Sequence, residues 1–225
     1  MTAIILQKKV VNDTSLLLKT ISEKGLLQYF KIPGILKSQK RSSMLLSAGN
    51  IWNFTTNNNI KKTIIPREFN LVQSPFDKEV KYDELKQIAE LLKIFDFFFS
   101  NLELPSLYKK LYSLLEKWPV LNLDERNNKI NRFYLFFLQE MGLFNFSDLC
   151  QKCKKPLNEN DYYFLAEGTL CETCGKSNIV LDKNYFSYGW VSTCYYDKSI
   201  NVIDKYNNLS RANRNLICNF LSESI

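Results

Sequence analysis

The stretch CQKCKKPLNENDYYFLAEGTLCETC, Cys150–Cys174, carries two C-x-x-C pairs separated by 17 residues. Two residues between thiols let one turn of backbone deliver both sulfurs to a tetrahedral ion, and two such turns complete a closed four-sulfur site. Between the pairs, DYYFLAEGTL reads as a short hairpin, which gives a metal ribbon over residues 148–177. Redox dithiols are the competing reading, but two pairs at this spacing favour zinc held by Cys150, Cys153, Cys171 and Cys174. Four protein ligands leave no position for water or substrate, so such an ion is structural. Lys152, Lys154 and Lys155 stand at the first pair and offset the negative charge of a four-thiolate centre. Gly175 follows the second pair, where the turn is expected to need a positive φ. Cys194 and Cys218 stand alone and read as small buried hydrophobes.

Upstream of the ribbon the apolar pattern is helical. From Tyr82, the residues Leu85, Ile88, Leu92, Phe95 and Phe99 recur at spacings of three and four. LPSLYKKLYSLLEKWP carries Pro105 near a first helical turn and stops at Pro119. A third helix is expected over 127–141, with Ile130, Phe133, Phe137 and Met141 inward and Gly142 ending it. A fourth is expected over 209–221. Further upstream the period changes. AIILQKKVV, TSLLLKTIS, GLLQYFKIPGIL, NIWNFTT and KKTIIPREFNLVQ are β-branched or aromatic runs divided by turn formers. Five strands in about 75 residues suit a small OB-type barrel. The change near Ser74 divides the chain into a barrel domain over 1–78 and an α-helical domain over 79–225 that contains the ribbon.

Charge follows the same division. The net charge is +7, and residues 1–80 hold 12 Lys and Arg against 5 Asp and Glu, whereas the remainder is balanced at 18 against 18. Between Glu23 and Glu68 there is no carboxylate at all. That window predicts a polyanion-binding face, most simply for nucleic acid. Its candidate phosphate contacts are Lys31, Lys37, Lys40, Arg41, Lys61 and Lys62. Of its aromatics, Tyr29, Phe30 and Phe54 read as barrel core and Trp52 as the one to stack on bases. The chain has no histidine, no G-x-x-x-x-G-K-[ST] loop and no G-x-G-x-x-G, so the common catalytic and nucleotide-binding signatures are missing and a non-enzyme is expected. No run reads as a leader or a membrane span, which predicts a soluble cytoplasmic protein with reduced thiols.

Several segments resemble the RecO family of bacterial recombination mediators. NDTSLLLKTISEKGLLQYFKIPGIL (residues 12–36) is similar to that family's first hairpin and following strand, and KSQKRSS (37–43) to its basic loop. FYLFFLQEMGLFNFSDLCQKCKKPL (133–157) resembles its helix, Leu-Gly turn and first zinc knuckle, LCETC its second knuckle, and LSRANRNLICNFL (209–221) its last helix. The resemblance implies an α+β multidomain protein, an N-terminal OB-fold barrel followed by α-helices with an inserted zinc ribbon. It implies a nucleoid-associated DNA repair protein that binds single- and double-stranded DNA. Such a protein anneals strands coated by single-strand binding protein and, with RecR, helps load RecA. It also implies a pocket for the acidic tail of single-strand binding protein, for which Arg211 and Arg214 are candidates. A zinc-ribbon module of the transcription or translation machinery is the alternative.

Overall fold

The computed structural model describes residues 1–37, 46–56, 63–76, 82–97, 103–143, 145–164, 168–179 and 185–187. The chain forms two compact units, Met1–Leu121 and Asn122–Ile225. None of the helices among the described residues is long and apolar enough to cross a membrane.

The first unit is built on six strands: β1 (Thr2–Asn12), β2 (Ser15–Ser22), β3 (Leu27–Ile32), β4 (Ile51–Thr55), β5 (Thr63–Ile64) and β6 (Glu68–Gln73). Their order in the sheet is β5-β3-β2-β1-β4-β6, with β5 parallel to β3 and the other neighbours antiparallel. β5 and β6 lie at opposite ends of that order, yet only Ile65, Pro66 and Arg67 separate them. Six flat strands would hold their outer members about 24 Å apart. Three linking residues reach at most about 14 Å. The sheet is therefore curled, with its two edges brought towards each other. All five runs expected from the sequence form strands. The fifth is broken at Pro66, which has no N–H to give to a ladder.

The alternation of β2 and β3 sets the two faces. Leu16, Leu18, Phe30 and Ile32 point inward and join Ala3, Ile5, Trp52 and Phe54 in the core, where Phe30 and Phe54 stack at 4.2 Å. On the opposite face the register aligns Ile51, Ile4, Ile21 and Leu27 in one row. That row is buried as well.

Two helices belong to this unit, α1 (Tyr82–Leu92), continued by a 3-10 turn over Lys93–Phe97, and α2 (Pro105–Lys117). Lys19 Nζ donates to the Phe95 carbonyl at 2.8 Å, and Gln73 Nε2 to the Glu116 carbonyl at 3.3 Å. The backbone of Gly25 lies directly against that of Leu104, where a methyl group has no room. The compact units meet at Leu121, whereas the expected domain boundary falls after residue 78.

The second unit begins with α3 (Leu123–Glu140). It starts four residues earlier than the periodicity suggests, because Asn122 and Glu125 form a reciprocal capping box. Ile130, Phe133 and Phe137 are buried as expected, and Met141 is half-buried. Gly142, at φ 71°, ends the helix. Then follow β7 (Tyr162–Phe164), β8 (Gly168–Leu170), α4 (Glu172–Ile179) and β9 (Tyr185–Ser187). β7 and β8 are the expected hairpin, and β9 adds a third strand on the far side of β7. Cys194, Cys218 and the helix expected over 209–221 lie outside the described residues.

Candidate metal centre and basic face

The sulfurs of Cys150, Cys153, Cys171 and Cys174 all lie within 4.8 Å of one another, and those of Cys153 and Cys171 are 3.6 Å apart. Four thiolates about 2.3 Å from a tetrahedral ion stand about 3.8 Å from each other. The donor set and its span thus fit a soft divalent ion, and all four thiols are free of disulfide bonds. Cys150 is fully buried beside Phe164 and Leu170, whereas Cys153 is exposed.

Local backbone geometry delivers these sulfurs in two ways. The first pair sits on a turn in which Lys154 N–H donates to the Cys150 carbonyl and Cys150 N–H to the Lys155 carbonyl, both at 2.8 Å. Lys154 takes the positive φ, 61°. The second pair spans the start of α4, where Gly175 N–H donates to the Cys171 carbonyl at 2.8 Å. Gly175 is therefore helical and does not adopt the positive φ expected of it. It is glycine for space: a Cβ there would lie 2.8 Å from the ring of Tyr162.

Two side chains lock the knuckles to the hairpin. Thr169 Oγ1 donates to the Leu149 carbonyl at 3.0 Å, and Gln151 N–H donates to the Thr169 carbonyl at 2.9 Å, which fixes the first knuckle on β8. The buried Asp161 carboxylate accepts from Asn158 N–H at 2.6 Å and from Glu172 N–H at 2.7 Å. Glu172 opens α4, so Asp161 caps from a distance the helix that carries Cys174. Replacing Asp161 with asparagine keeps one acceptor and turns an amide group towards the other N–H. The expected cost is about 2 kcal/mol of stability and roughly a tenfold or greater loss of metal affinity, read by competition with a chromophoric chelator. Unchanged affinity would mean the ion alone aligns the two knuckles.

Charge at the cluster is uneven. Burial opposes ionisation of Cys150, but the N–H groups of Cys153, Cys171 and Lys152 outweigh it and hold its pKa down to about 6. Hydrogen bonding with the Cys171 thiol, then burial and the charge of Cys150, push Cys174 up to about 12. The Cys150 thiolate thus forms readily and opposes ionisation of Cys174, a repulsion that a divalent cation removes. Lys152, Lys154 and Lys155 are all exposed around the first knuckle.

The candidates for polyanion contact divide differently. Lys31 is half-exposed on β3, and Lys37 is exposed at the end of a 3-10 turn over Ile35–Lys37. Lys40, Arg41, Lys61, Lys62, Arg211 and Arg214 lie outside the described residues. Trp52 must be corrected. Its register with Ala3 turns it inward, it is 5% exposed, and its ring packs 5.6 Å from Phe69, so it presents no face to a base. The aromatic that faces outward is Tyr29. The ladders align Lys9, Leu17 and Lys31 in one row and Gln7, Lys19, Tyr29 and Thr63 in the next. Both rows lie on the outer face of the sheet. Lys9 and Lys19 escaped the charge window because they precede Glu23; strand alternation is the signal that would have placed them. No family model matches this chain, and no curated protein matches it either.

Proposed function

We propose that this protein binds single- and double-stranded DNA through the outer face of β1–β3 and acts as a mediator of the RecO type. On this reading it anneals complementary strands coated by single-strand binding protein, and with RecR it helps load RecA. The observation that carries the proposal is the alignment of Lys9, Leu17 and Lys31 beside the row that holds Lys19 and Tyr29, three cations and an aromatic ring on the outer face of the sheet. Lysines there neutralise phosphates and release counterions, while the tyrosine offers a ring for a base.

Connectivity supports the same reading. If residues 63–73 are taken as one strand bent at Pro66, the sheet closes in the order β1-β2-β3-(63–73)-β4. That is the strand order expected of an OB-type barrel, in which the outer surface of the second and third strands is the customary nucleic-acid face. Lys37 is a further exposed cation, and Lys40, Arg41, Lys61 and Lys62 stay candidates from the sequence. The metal is zinc, and its role is structural, since four thiolates close its coordination. Annealing needs no general base, only two strands held close with their repulsion screened. This suits a chain without histidine. Arg211 and Arg214 remain the candidates for the acidic tail of single-strand binding protein.

The test is annealing of coated complementary strands by the protein and by the double variant Lys9→Ala, Lys31→Ala. A single strand contacted at about five phosphates gives a slope of log K against log salt near −3.5, and removing two contacts reduces its magnitude by about 1.4. An unchanged slope would show that another face binds. Absence of annealing with retained binding to structured RNA would favour the transcription or translation module.

A further inference from the structure

The outer face of β1–β2 does not end at Lys19. Beside it opens a groove of about 650 Å³ between these strands and α1. Its apolar wall is the face of α1 formed by Leu85, Ile88, Ala89 and Leu92, spaced i, i+3, i+4 and i+7, with Leu6 of β1 opposite. Four lysines also line it, Lys8, Lys19, Lys86 and Lys93, against a single carboxylate, Glu90. Such a site suits an occupant that is flat and apolar in one part and anionic in another.

Continuity selects the occupant. Gln7 and Lys19 belong both to the groove lining and to the cross-strand row that continues to Tyr29. Lys19 is held at the junction by its bond to the Phe95 carbonyl. A backbone bound along the lysine rows passes the mouth of the groove. We propose that the groove takes an unstacked base of a bound single strand, sandwiched between the aliphatic face of α1 and β1, with the lysines at its rim on the flanking phosphates. This inference rests on the nucleic-acid reading of the outer face and adds a discrimination to it. A base can enter only when unpaired, and extruding one from a duplex costs a few kcal/mol, so the groove favours single strands over duplex.

The probe is a pair of oligonucleotides with the same phosphates, one with its bases and one abasic throughout. The protein is expected to bind the strand with bases about tenfold more tightly than the abasic one. Ala89 is exposed on α1, so Ala89→Leu fills the groove without disturbing the core, and it is expected to shrink the difference severalfold, to what stacking on Tyr29 leaves. Its thermal unfolding should match that of the unaltered protein. Equal affinities in the unaltered protein, or a difference that Ala89→Leu does not reduce, overturn the groove assignment. If the Lys9→Ala, Lys31→Ala variant binds both strands as well as the unaltered protein, the outer-face reading fails first. An acidic peptide that is blocked by Ala89→Leu, with strand binding unaffected, assigns the groove to a protein partner and overturns the inference.

Discussion

Replacing Cys150 with serine is expected to abolish metal binding and unfold the ribbon over 148–177, while the unit Met1–Leu121 keeps its structure. A serine hydroxyl does not ionise near neutral pH, so the site falls from four anionic donors to three. Structural zinc contributes about 10–16 kcal/mol to small zinc-binding peptides, so one ligand in four carries roughly 3 kcal/mol, or more than a hundredfold in affinity. Little else among the described residues holds the ribbon together. Its buried apolar side chains among the described residues are Cys150, Tyr163, Phe164 and Leu170, with Leu157 and Tyr162 at the edge, too few to fold a segment of this length. Metal content by mass spectrometry should fall from about one ion per chain to near zero, and limited proteolysis should cut between the knuckles. Cys153→Ser is the matched comparison. Cys153 is an exposed ligand, so its loss removes coordination without opening a buried cavity. The difference between the two variants isolates the packing contribution of Cys150. A ribbon that stays protease-resistant after its metal is chelated would falsify the structural role.

The parts of this molecule that were legible from sequence are those whose cause is local. The strands of the first unit follow from alternation and from turn residues at Gly25, Gly34 and Gly49, all of which take positive φ. The clustering of the four cysteines follows from spacing, since each pair is delivered by one turn of backbone. The apolar period puts the start of α3 four residues late, because the capping box of Asn122 and Glu125 outranks it. Other features depend on partners that no local pattern reveals. Trp52 is inward because of its register with Ala3, and that register cannot be read from the composition of either strand. The grouping of Lys9 with Lys31 depends on the shift in β1 between Ile5 and Gln7, which sets which lysines share a face. Asp161 reaches a backbone group 11 residues away and Thr169 one 20 residues away, so neither announces its role in the metal site. Gly175 was assigned to the right place for the wrong reason: a tyrosine ring, not the turn, forbids a side chain there.

The same distinction gives the second large effect, at Gly25. This residue sits in the turn between β2 and β3 at φ 78°, its N–H donating to the Ser22 carbonyl at 2.7 Å. From the sequence it reads as an ordinary turn glycine, whose change to alanine costs only about 1 kcal/mol of left-handed strain. The structure adds a second constraint. A Cβ at Gly25 would fall on the nitrogen, carbonyl carbon and oxygen of Leu104, just ahead of α2. Backbone cannot rotate aside as a side chain can, so either the turn or the approach to α2 has to move. Gly25→Ala is therefore expected to destabilise the first unit by about 4 kcal/mol, at the upper end for a single substitution. For a unit of 121 residues this lowers the unfolding midpoint by roughly 15 °C, measured by far-ultraviolet circular dichroism. Gly34→Ala provides the internal control. Gly34 has φ 70° but nothing among the described residues within 4 Å of its missing Cβ, so the strain of about 1 kcal/mol is what applies. Equal losses at the two sites would mean that the Gly25 turn does not bear on α2. A loss several times larger at Gly25 would mean that α2 folds as part of the sheet unit, as expected if the boundary lies at Leu121 and not where the helices begin.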